Sequence, residues 1–196
     1  MELLYQDDQF VVCIKPVGLD SEHQLPQALE ETLGGQIYPV HRLDQNVGGV
    51  MLFARTKAAA AYFSSIIQKG SMIKEYVALV HGDPPAQGDW EDLLFKDSRR
   101  NKVFVVDRMR GGVKQARLTF QRLKQDPALV QIRLYTGRSH QIRVQFASRG
   151  YPLLGDRKYG ARDAYSAPML YSFRLTFPYQ GKTLEFSHLP DWATAE

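Results

Sequence analysis

The sequence is poor in residues that build disulfide or metal sites. Its single cysteine, Cys13, excludes an internal disulfide, and its position in the apolar run Phe10–Ile14 is typical of a small buried side chain rather than a nucleophile. The five histidines lack zinc-type spacing, and Cys13 completes no recognisable pattern with them, so we expect no metal. No glycine-rich phosphate loop is present, which predicts that no nucleotide cofactor is bound.

Long apolar runs are also missing. No segment approaches the roughly 20 apolar residues that a membrane span requires, and the polar, acidic start Met1–Asp8 is unlike a signal peptide. With 196 residues and 44% apolar composition, the chain is long enough to bury a sizeable core. We therefore expect one domain over residues 1–196, in a reducing cytoplasm and without a membrane partner.

Positive charge is unevenly distributed along the chain. Ten Lys and Arg residues lie between Lys96 and Lys124 against only Asp97 and Asp107, a local balance of +8 in a chain whose net charge is +4. This concentration, the basic segment, indicates a polyanionic partner on one side of the protein. On charge alone, an ordinary solvated face explains it equally well.

Alternating and β-branched segments dominate the sequence. Strands are predicted at about 10–15, 49–54, 73–80, 103–106, 116–123, 129–135, 170–177 and 183–186. Helices are predicted at about 26–33, from a Thr56 cap to Gly70, and from a Ser139 cap to Arg149. Many strands and about three helices in mixed order indicate the α+β class, and the segment 97–112 is expected to be a protruding loop or hairpin.

Three short blocks follow one another along the chain: His41–Asp44 (HRLD), Gly137–Arg143 (GRSHQIR) and Gly155–Gly160 (GDRKYG). The first alone arises by chance about once in a thousand chains of this length. A lone carboxylate beside Gly48-Gly49 is also more often structural, capping backbone amides. A distant arginine such as Arg143 changes this balance, because a guanidinium keeps a partly buried carboxylate ionised, as a nucleophile requires.

With Lys15–Leu19 and Lys74–Tyr76 added, these blocks resemble the RluA-type pseudouridine synthases, which isomerise uridine in RNA; the match runs from about residue 10 to 188. The resemblance implies an α+β fold with a mixed, largely antiparallel sheet, a few flanking helices and a central catalytic cleft. It also implies cofactor-free chemistry on a structured RNA, ribosomal or transfer RNA, and we expect a monomer. Because only about ten residues precede the part of the chain that matches the family, no appended N-terminal RNA-binding domain is expected.

The resemblance assigns catalytic roles to Asp44, Tyr76 and Arg143. Asp44 either attacks the flipped uridine or stabilises the charge of a glycal intermediate, and both routes stay open. Arg143 is implied to form an ion pair with Asp44. Tyr76 is implied to stack on the target base and is a candidate for proton transfer, although by composition alone it is a core aromatic of a strand.

Further residues are expected to bind the substrate. His41 and Arg42 are both expected to bind the substrate, and the resemblance implies that Arg42 enters the RNA helix where the uridine has flipped out, which offsets part of the few kcal/mol that flipping costs. Arg138 and His140 lie near a predicted helix start, where they either favour phosphate or hold the loop through backbone hydrogen bonds. The remaining candidates come from the basic segment and are expected to hold phosphates: Arg99, Arg100, Lys102 and Arg110.

One departure from the family pattern concerns the loop that bears Asp44. Val47-Gly48-Gly49 stands where the family usually has Thr-Ser-Gly, so two hydroxyls that would support this loop are missing. A catalytically inactive RNA-binding module of the same fold is the main rival, but it is expected to have lost Asp44, Tyr76 or Arg143. A small-molecule hydrolase using an aspartate lacks a second carboxylate or metal and leaves the basic segment unexplained.

Overall fold

The computed structural model describes residues 1–194, which form eleven strands, four α-helices and one short 3-10 turn. In chain order these are β1 (Glu2–Gln6), β2 (Phe10–Lys15), α1 (Gln24–Leu33), β3 (Tyr38–Pro39), β4 (Gly48–Ala54), α2 (Lys57–Gln68), β5 (Ile73–Val80), β6 (Gln87–Asp97), β7 (Lys102–Val106), β8 (Val113–Gln125), β9 (Ala128–Leu134), α3 (Gln141–Ala147), the 3-10 turn (Arg157–Tyr159), β10 (Leu170–Tyr179), β11 (Lys182–Ser187) and α4 (Asp191–Thr194). The α+β class with a mixed, mostly antiparallel sheet is confirmed. None of the four helices is long and apolar enough to cross a membrane within residues 1–194.

The chain divides into two compact units. Residues 1–74 and 171–194 form the terminal unit, and residues 75–170 form the middle unit. In the terminal unit the strand order is β1-β2-β4-β10, with β3 on β4 and β11 on β10, and β4 and β10 run parallel. In the middle unit the order is β5-β9-β8-β6-β7. The expectation of one domain over residues 1–196 stays a prediction.

The core of the terminal unit forms where α2 packs on β2, β4 and β10. Thr56 caps the helix as predicted, because its hydroxyl accepts a hydrogen bond from the Ala59 amide at 3.1 Å. Spacing of three and four residues then places Ala59, Phe63 and Ile66 on the buried face. The Phe63 ring meets Phe10 edge-on at 5.3 Å, so the helix is fixed against the strand that leads into Lys15.

Gly49 allows the close approach of β4 and β10. Its φ of +131° is a conformation that side chains rarely adopt, and it pairs with Ser172 across the parallel strands. A Cβ atom at this position would lie less than 3.0 Å from backbone atoms of Ser172. Backbone atoms of a paired strand cannot move aside, so glycine is required where the Asp44 loop enters β4.

His41 fastens the start of the Asp44 loop to β4. Its Nε2 accepts a hydrogen bond from the Leu52 amide at 3.0 Å, which requires that this nitrogen carry no proton. Burial, together with the charge of Lys74, lowers the pKa of His41 from 6.5 to about 3. The ring is therefore neutral at physiological pH and has a structural contact that protonation would break.

The middle unit packs α3 on one face of its strands. Val144 of this helix belongs to one buried cluster with Leu94, Val103 and Ala116, which lie on β6, β7 and β8. A second contact is an aromatic cluster in which Phe146 lies 4.7 Å from Trp90 and 5.1 Å from Phe120. Ile142, one turn before Phe146, is buried on the same side of the helix.

One sequence-based prediction for the middle unit is corrected by the structure, and another is confirmed in part. Helix α3 starts at Gln141 rather than after a Ser139 cap, and its N-cap is His140, whose φ of +51° is left-handed. The segment 97–112 is partly the expected hairpin, since β6 and β7 are antiparallel neighbours, and residues 107–112 then cross from β7 to β8. Strand β6 itself was not predicted.

We predict that Gly49→Ala destabilises the protein by about 3 kcal/mol or more, because backbone strain adds to a clash that cannot relax. Gly34→Ala is the matched control, since Gly34 also has a positive φ (+70°) but nothing within 4 Å of an added Cβ. Its expected cost is about 1 kcal/mol. Chemical denaturation measures both, and equal losses would contradict a close approach at Gly49.

We also predict that His41 makes stability depend on pH. A folded pKa below the unfolded one contributes stability above about pH 6.5 that is lost as the pH falls towards 3. Between pH 7 and pH 5, His41 should account for a loss of about 2 kcal/mol. Denaturation of His41→Gln, which retains an acceptor, should show a correspondingly smaller loss over this range. His23→Gln, at an exposed histidine, should keep the wild-type dependence.

Candidate active site

Asp44 lies on the loop between β3 and β4, and this loop is fastened at the residue before it. The buried Ser21 hydroxyl donates to the Leu43 carbonyl at 2.9 Å and accepts from the Leu43 amide at 3.2 Å. The Val47 amide donates to the Asp44 carbonyl at 2.9 Å and closes the turn. The Asp44 side chain is partly exposed, so a fixed backbone presents a carboxylate that solvent reaches.

Lys15 fastens the residue that follows Asp44. Its ammonium group donates to the carbonyl oxygens of Pro16 and Gln45, both at 2.9 Å, and the residue is 0% exposed. Burial lowers the pKa of Lys15 to about 8, while the charges of Asp20 and Asp44 act in the opposite direction. Lys15, in the Lys15–Leu19 block, thus supports the loop, and its charge lies close enough to interact with that of Asp44.

The segment after Lys15 adds two hydrogen bonds to the same place. The Gly18 amide donates to the Gln45 carbonyl, and the Gln45 side-chain amide donates to the Gly18 carbonyl, both at 2.9 Å. Val47-Gly48 brings no hydroxyl to the loop, and a Cβ at Gly48 would lie 3.2 Å from the Lys15 carbonyl oxygen. Ser21 supplies a hydroxyl contact from the other side. Nothing in the sequence pattern singled out Ser21.

Arg42 lies at the surface of this loop. Its guanidinium Nη1 is 2.9 Å from the Glu22 carboxylate Oε2, and the two side chains are 49% and 46% exposed. The sequence did not decide which way Arg42 points, and the structure places it against Glu22. Its expected entry into RNA stays a prediction.

Lys74 and Tyr76 belong to β5. Burial lowers the pKa of Lys74, and the charge of Lys74 acts on His41. The Tyr76 side chain is buried, as expected for an aromatic residue in the interior of a strand. Its predicted stacking on a target base stays a prediction.

Arg143 is held by a carboxylate that the sequence analysis did not single out. Asp156 accepts from Arg143 Nε at 2.6 Å and Nη2 at 2.9 Å, and the two residues are 1% and 7% exposed. Such a bidentate pair fixes the plane of the guanidinium. Asp156 is the second residue of the Gly155–Gly160 block. The sequence analysis therefore identified the motif that contains Asp156 but assigned no role to this residue. The ion pair between Arg143 and Asp44, which belong to different units, stays a prediction.

Tyr159, of the same block, gathers several predicted residues. Its hydroxyl accepts from the Val103 amide and forms a hydrogen bond with His140 Nδ1, both at 2.9 Å. The Lys102 ammonium lies 5.3 Å and the Arg143 guanidinium 5.2 Å from the centre of its ring. The structure therefore brings Arg143, His140 and Lys102 together around a tyrosine that the sequence analysis assigned no role.

Arg138 holds its own loop, which is one of the two interpretations left open by the sequence. Its Nε donates to the Gln115 carbonyl at 2.9 Å, and its amide donates to the Gln141 side-chain oxygen at 3.0 Å. Gln141 is buried and also donates to the Arg117 carbonyl at 3.1 Å. The loop before α3 is thereby tied to β8. Gln141, like Asp156, lies within one of the motif blocks, but the sequence analysis assigned it no role.

The basic segment is less positive in the structure than in the sequence, because acids outside it pair with its arginines. Arg117 contacts Asp89 at 2.8 Å and Glu91 at 3.4 Å, and Arg122 pairs with Asp83. The local balance of +8 therefore overstates the positive charge of the segment that is not paired with acidic side chains.

Three of the four candidate phosphate-binding residues of the basic segment lie on two different connections, and the fourth, Lys102, begins β7. Arg99 and Arg100 are exposed in the turn between β6 and β7, where the Asp97 carboxylate accepts from both amides. Arg110 lies on the 107–112 loop, with its guanidinium 5.1 Å from the Phe95 ring centre. Within residues 1–194, Arg99, Lys102 and Arg110 have no acidic partner, whereas Arg100 lies 3.7 Å from Asp97.

Comparison with known proteins gives consistent results. The chain matches the family described as RNA pseudouridylate synthase over residues 9–148. It is 35% identical to the dual-specificity RNA pseudouridine synthase RluA of Escherichia coli strain K12, over 97% of this chain and 93% of that protein. It is 30% identical to the ribosomal large subunit pseudouridine synthase D of Zymomonas mobilis, over 96% of this chain but only 64% of that protein.

Solved structures agree at the level of the fold. The human RNA pseudouridylate synthase domain containing 4 superposes with a TM-score of 0.81 at 25% identity, over 97% of this chain and 89% of the other. The human domain containing 1 gives 0.85 at 24% identity, over 96% and 83%. Because the family match spans most of the chain and the RluA relative is similar over nearly its whole length, this chain belongs to the RluA-type RNA pseudouridine synthases, which are isomerases.

Proposed function

We propose that this enzyme converts specific uridines of a structured ribosomal or transfer RNA into pseudouridine, with Asp44 as the reacting carboxylate. The observation that carries the proposal is the mounting of Asp44. Ser21 fixes the residue before it, Lys15 and Gly18 fix the residue after it, and the side chain still reaches solvent. A nucleophile held on a rigid backbone loses little freedom on the way to the transition state.

The proposed reaction is an isomerisation in which atoms balance without a cofactor. Asp44 either bonds to C1′ of the flipped uridine, releasing uracil, or stabilises the charge while a glycal forms. The freed uracil rotates and its C5 bonds to C1′; in the first route this breaks the Asp44–C1′ bond and frees the carboxylate, and in the second the proton lost from C2′ when the glycal formed returns to C2′. The C5 proton then leaves to Tyr76 or water, and N1, which has lost its bond to C1′, takes up a proton. No electron is gained or lost, so no oxidant or reductant is needed.

Arg143 is proposed to pair with Asp44, as the family motif implies. Asp156 already binds two of the five N–H donors of the guanidinium, which sets its orientation. The guanidinium can accommodate a second carboxylate, because its planar fork has two edges. Asp156 thus acts through Arg143 rather than on the substrate.

RNA is the partner of this family, and its identity here is a proposal. One relative is named for the ribosomal large subunit and another for dual specificity, so ribosomal and transfer RNA are both proposed. Location in the cytoplasm and action as a monomer are proposed with them. The inactive RNA-binding module is not favoured, because Asp44, Tyr76 and Arg143 are all retained.

We predict that Asp44→Asn abolishes isomerisation, at least 1,000-fold, because an amide can neither attack C1′ nor stabilise a positive charge. The measurement is tritium release from RNA labelled at C5 of uridine. Asp8→Asn removes the same charge from an exposed position of the terminal unit and should keep full activity. Release by a folded Asp44→Asn variant at near wild-type rate would refute the role of Asp44.

We further predict that replacing Arg99, Arg100, Lys102 and Arg110 by glutamine weakens binding of all RNA sequences alike, since contacts to phosphate carry no sequence information. Each lost contact should flatten the slope of log affinity against log salt by about 0.7 to 0.9. Filter binding at several salt concentrations measures both quantities. Glutamine at Lys57, Lys69 and Lys182, all exposed in the terminal unit, is the control and should leave the slope unchanged. An unaltered slope in the quadruple variant would place the RNA elsewhere.

A further inference from the structure

The turn that precedes α1 is built against the motif that bears Arg42. The Asp20 carboxylate accepts from the amides of Glu22 and His23, at 2.9 and 2.7 Å, which fixes the turn. Within it, the Ser21 hydroxyl bonds to both the amide and the carbonyl of Leu43. Glu22 and Arg42 are the adjoining residues of these two anchored positions, so their side chains are brought together by fixed backbones.

We infer that Glu22 is a positioning residue for Arg42, which holds the guanidinium in the RNA-free enzyme and competes with RNA for it. The inference rests on the proposed function, in which Arg42 enters the RNA. Nη1 of Arg42 lies 2.9 Å from Glu22 Oε2, the distance of a charge-assisted hydrogen bond. The Glu22 carboxylate thus offers Arg42 a charged oxygen acceptor of the kind that an RNA phosphate also offers.

The exposure of the pair decides what it does. Both side chains are about half exposed, at 49% and 46%, and exposed ion pairs contribute little to stability and are screened by salt. Ser21 and Asp20, which form hydrogen bonds to backbone groups, already stabilise this part of the fold. The Glu22 contact is therefore weak enough for RNA to displace, and strong enough to occupy Arg42 until then.

The direction of the effect follows from charge. RNA must break the Glu22–Arg42 pair before Arg42 can enter it, and breaking the pair costs binding free energy. Glutamine at position 22 keeps the shape and loses the charge, so Arg42 is released and this cost disappears. Glu22 thus lowers affinity for every RNA, and only an RNA that engages Arg42 fully overcomes it.

The test measures binding of an unmodified transcribed transfer RNA by fluorescence anisotropy. We expect Glu22→Gln to tighten binding about two- to five-fold, the range set by an exposed ion pair. Glu31→Gln, which removes the same charge from the exposed face of α1, should leave binding unchanged. Arg42→Ala should weaken binding, and adding Glu22→Gln to it should change nothing further.

Each other outcome overturns the inference in a distinguishable way. If Arg42→Ala weakens binding but Glu22→Gln has no effect or weakens it, the positioning role fails and the proposed function stands. Equal tightening in the wild-type and Arg42→Ala backgrounds would mean general charge repulsion. If Arg42→Ala binds like the wild type, Arg42 does not engage RNA and its proposed role fails as well.

Kinetics give a second readout that a purely structural role would not move. Glu22→Gln should lower the RNA concentration for half-maximal rate by the same factor and leave the rate at saturation unchanged, because Glu22 acts before the chemical step. Glu22→Ser, which also removes the charge, should behave in the same way. A fall in the saturated rate of both variants with intact folding would overturn the inference.

Discussion

The terminal unit depends on the burial of one cation, the ammonium group of Lys15. A charge without solvent contact is tolerated only when it is compensated, and here the carbonyl oxygens of Pro16 and Gln45 accept two of its three N–H donors while the charges of Asp20 and Asp44 favour the charged form. The same bonds join the end of β2 to the loop that follows β3. The same hydrogen bonds therefore stabilise the buried charge and fix the Asp44 loop. A substitution that removes these bonds affects both.

The middle unit has a comparable constraint in the pair of Arg143 and Asp156. Removing Arg143 leaves the buried Asp156 carboxylate without the cation that pairs with it, which is costly. Tyr159 then links this pair to β7 and to the N-terminus of α3 through its hydroxyl and its ring. Lys102 is proposed to contact RNA phosphate, and it lies over the ring of Tyr159. It therefore belongs to the same network as Arg143, which is proposed to act on Asp44.

Local patterns predicted the elements whose stability is local. The strand over Phe10–Lys15, the Thr56 cap and the terminal hairpin of β10 and β11 all appear where apolar periodicity and turn residues indicated them. Strand β6 was not predicted, because acidic residues such as Asp89 and Glu91, which are uncommon in strands, alternate along it. Its pairing with β8 places Glu91 opposite Arg117, so the acids acquire a partner that only strand register supplies.

For the candidate site, the sequence by itself determined which motifs are present and therefore which side chains are the candidates for chemistry. The motifs identified Asp44, Tyr76 and Arg143, and also the blocks in which Gln141, Asp156 and Tyr159 lie. Only the tertiary structure decided their partners, including Ser21 with Leu43, Glu22 with Arg42 and Asp156 with Arg143. A hydrogen bond or ion pair depends on which distant segments become neighbours and on how far water is excluded from them, and neither quantity is contained in the spacing of residues along the chain.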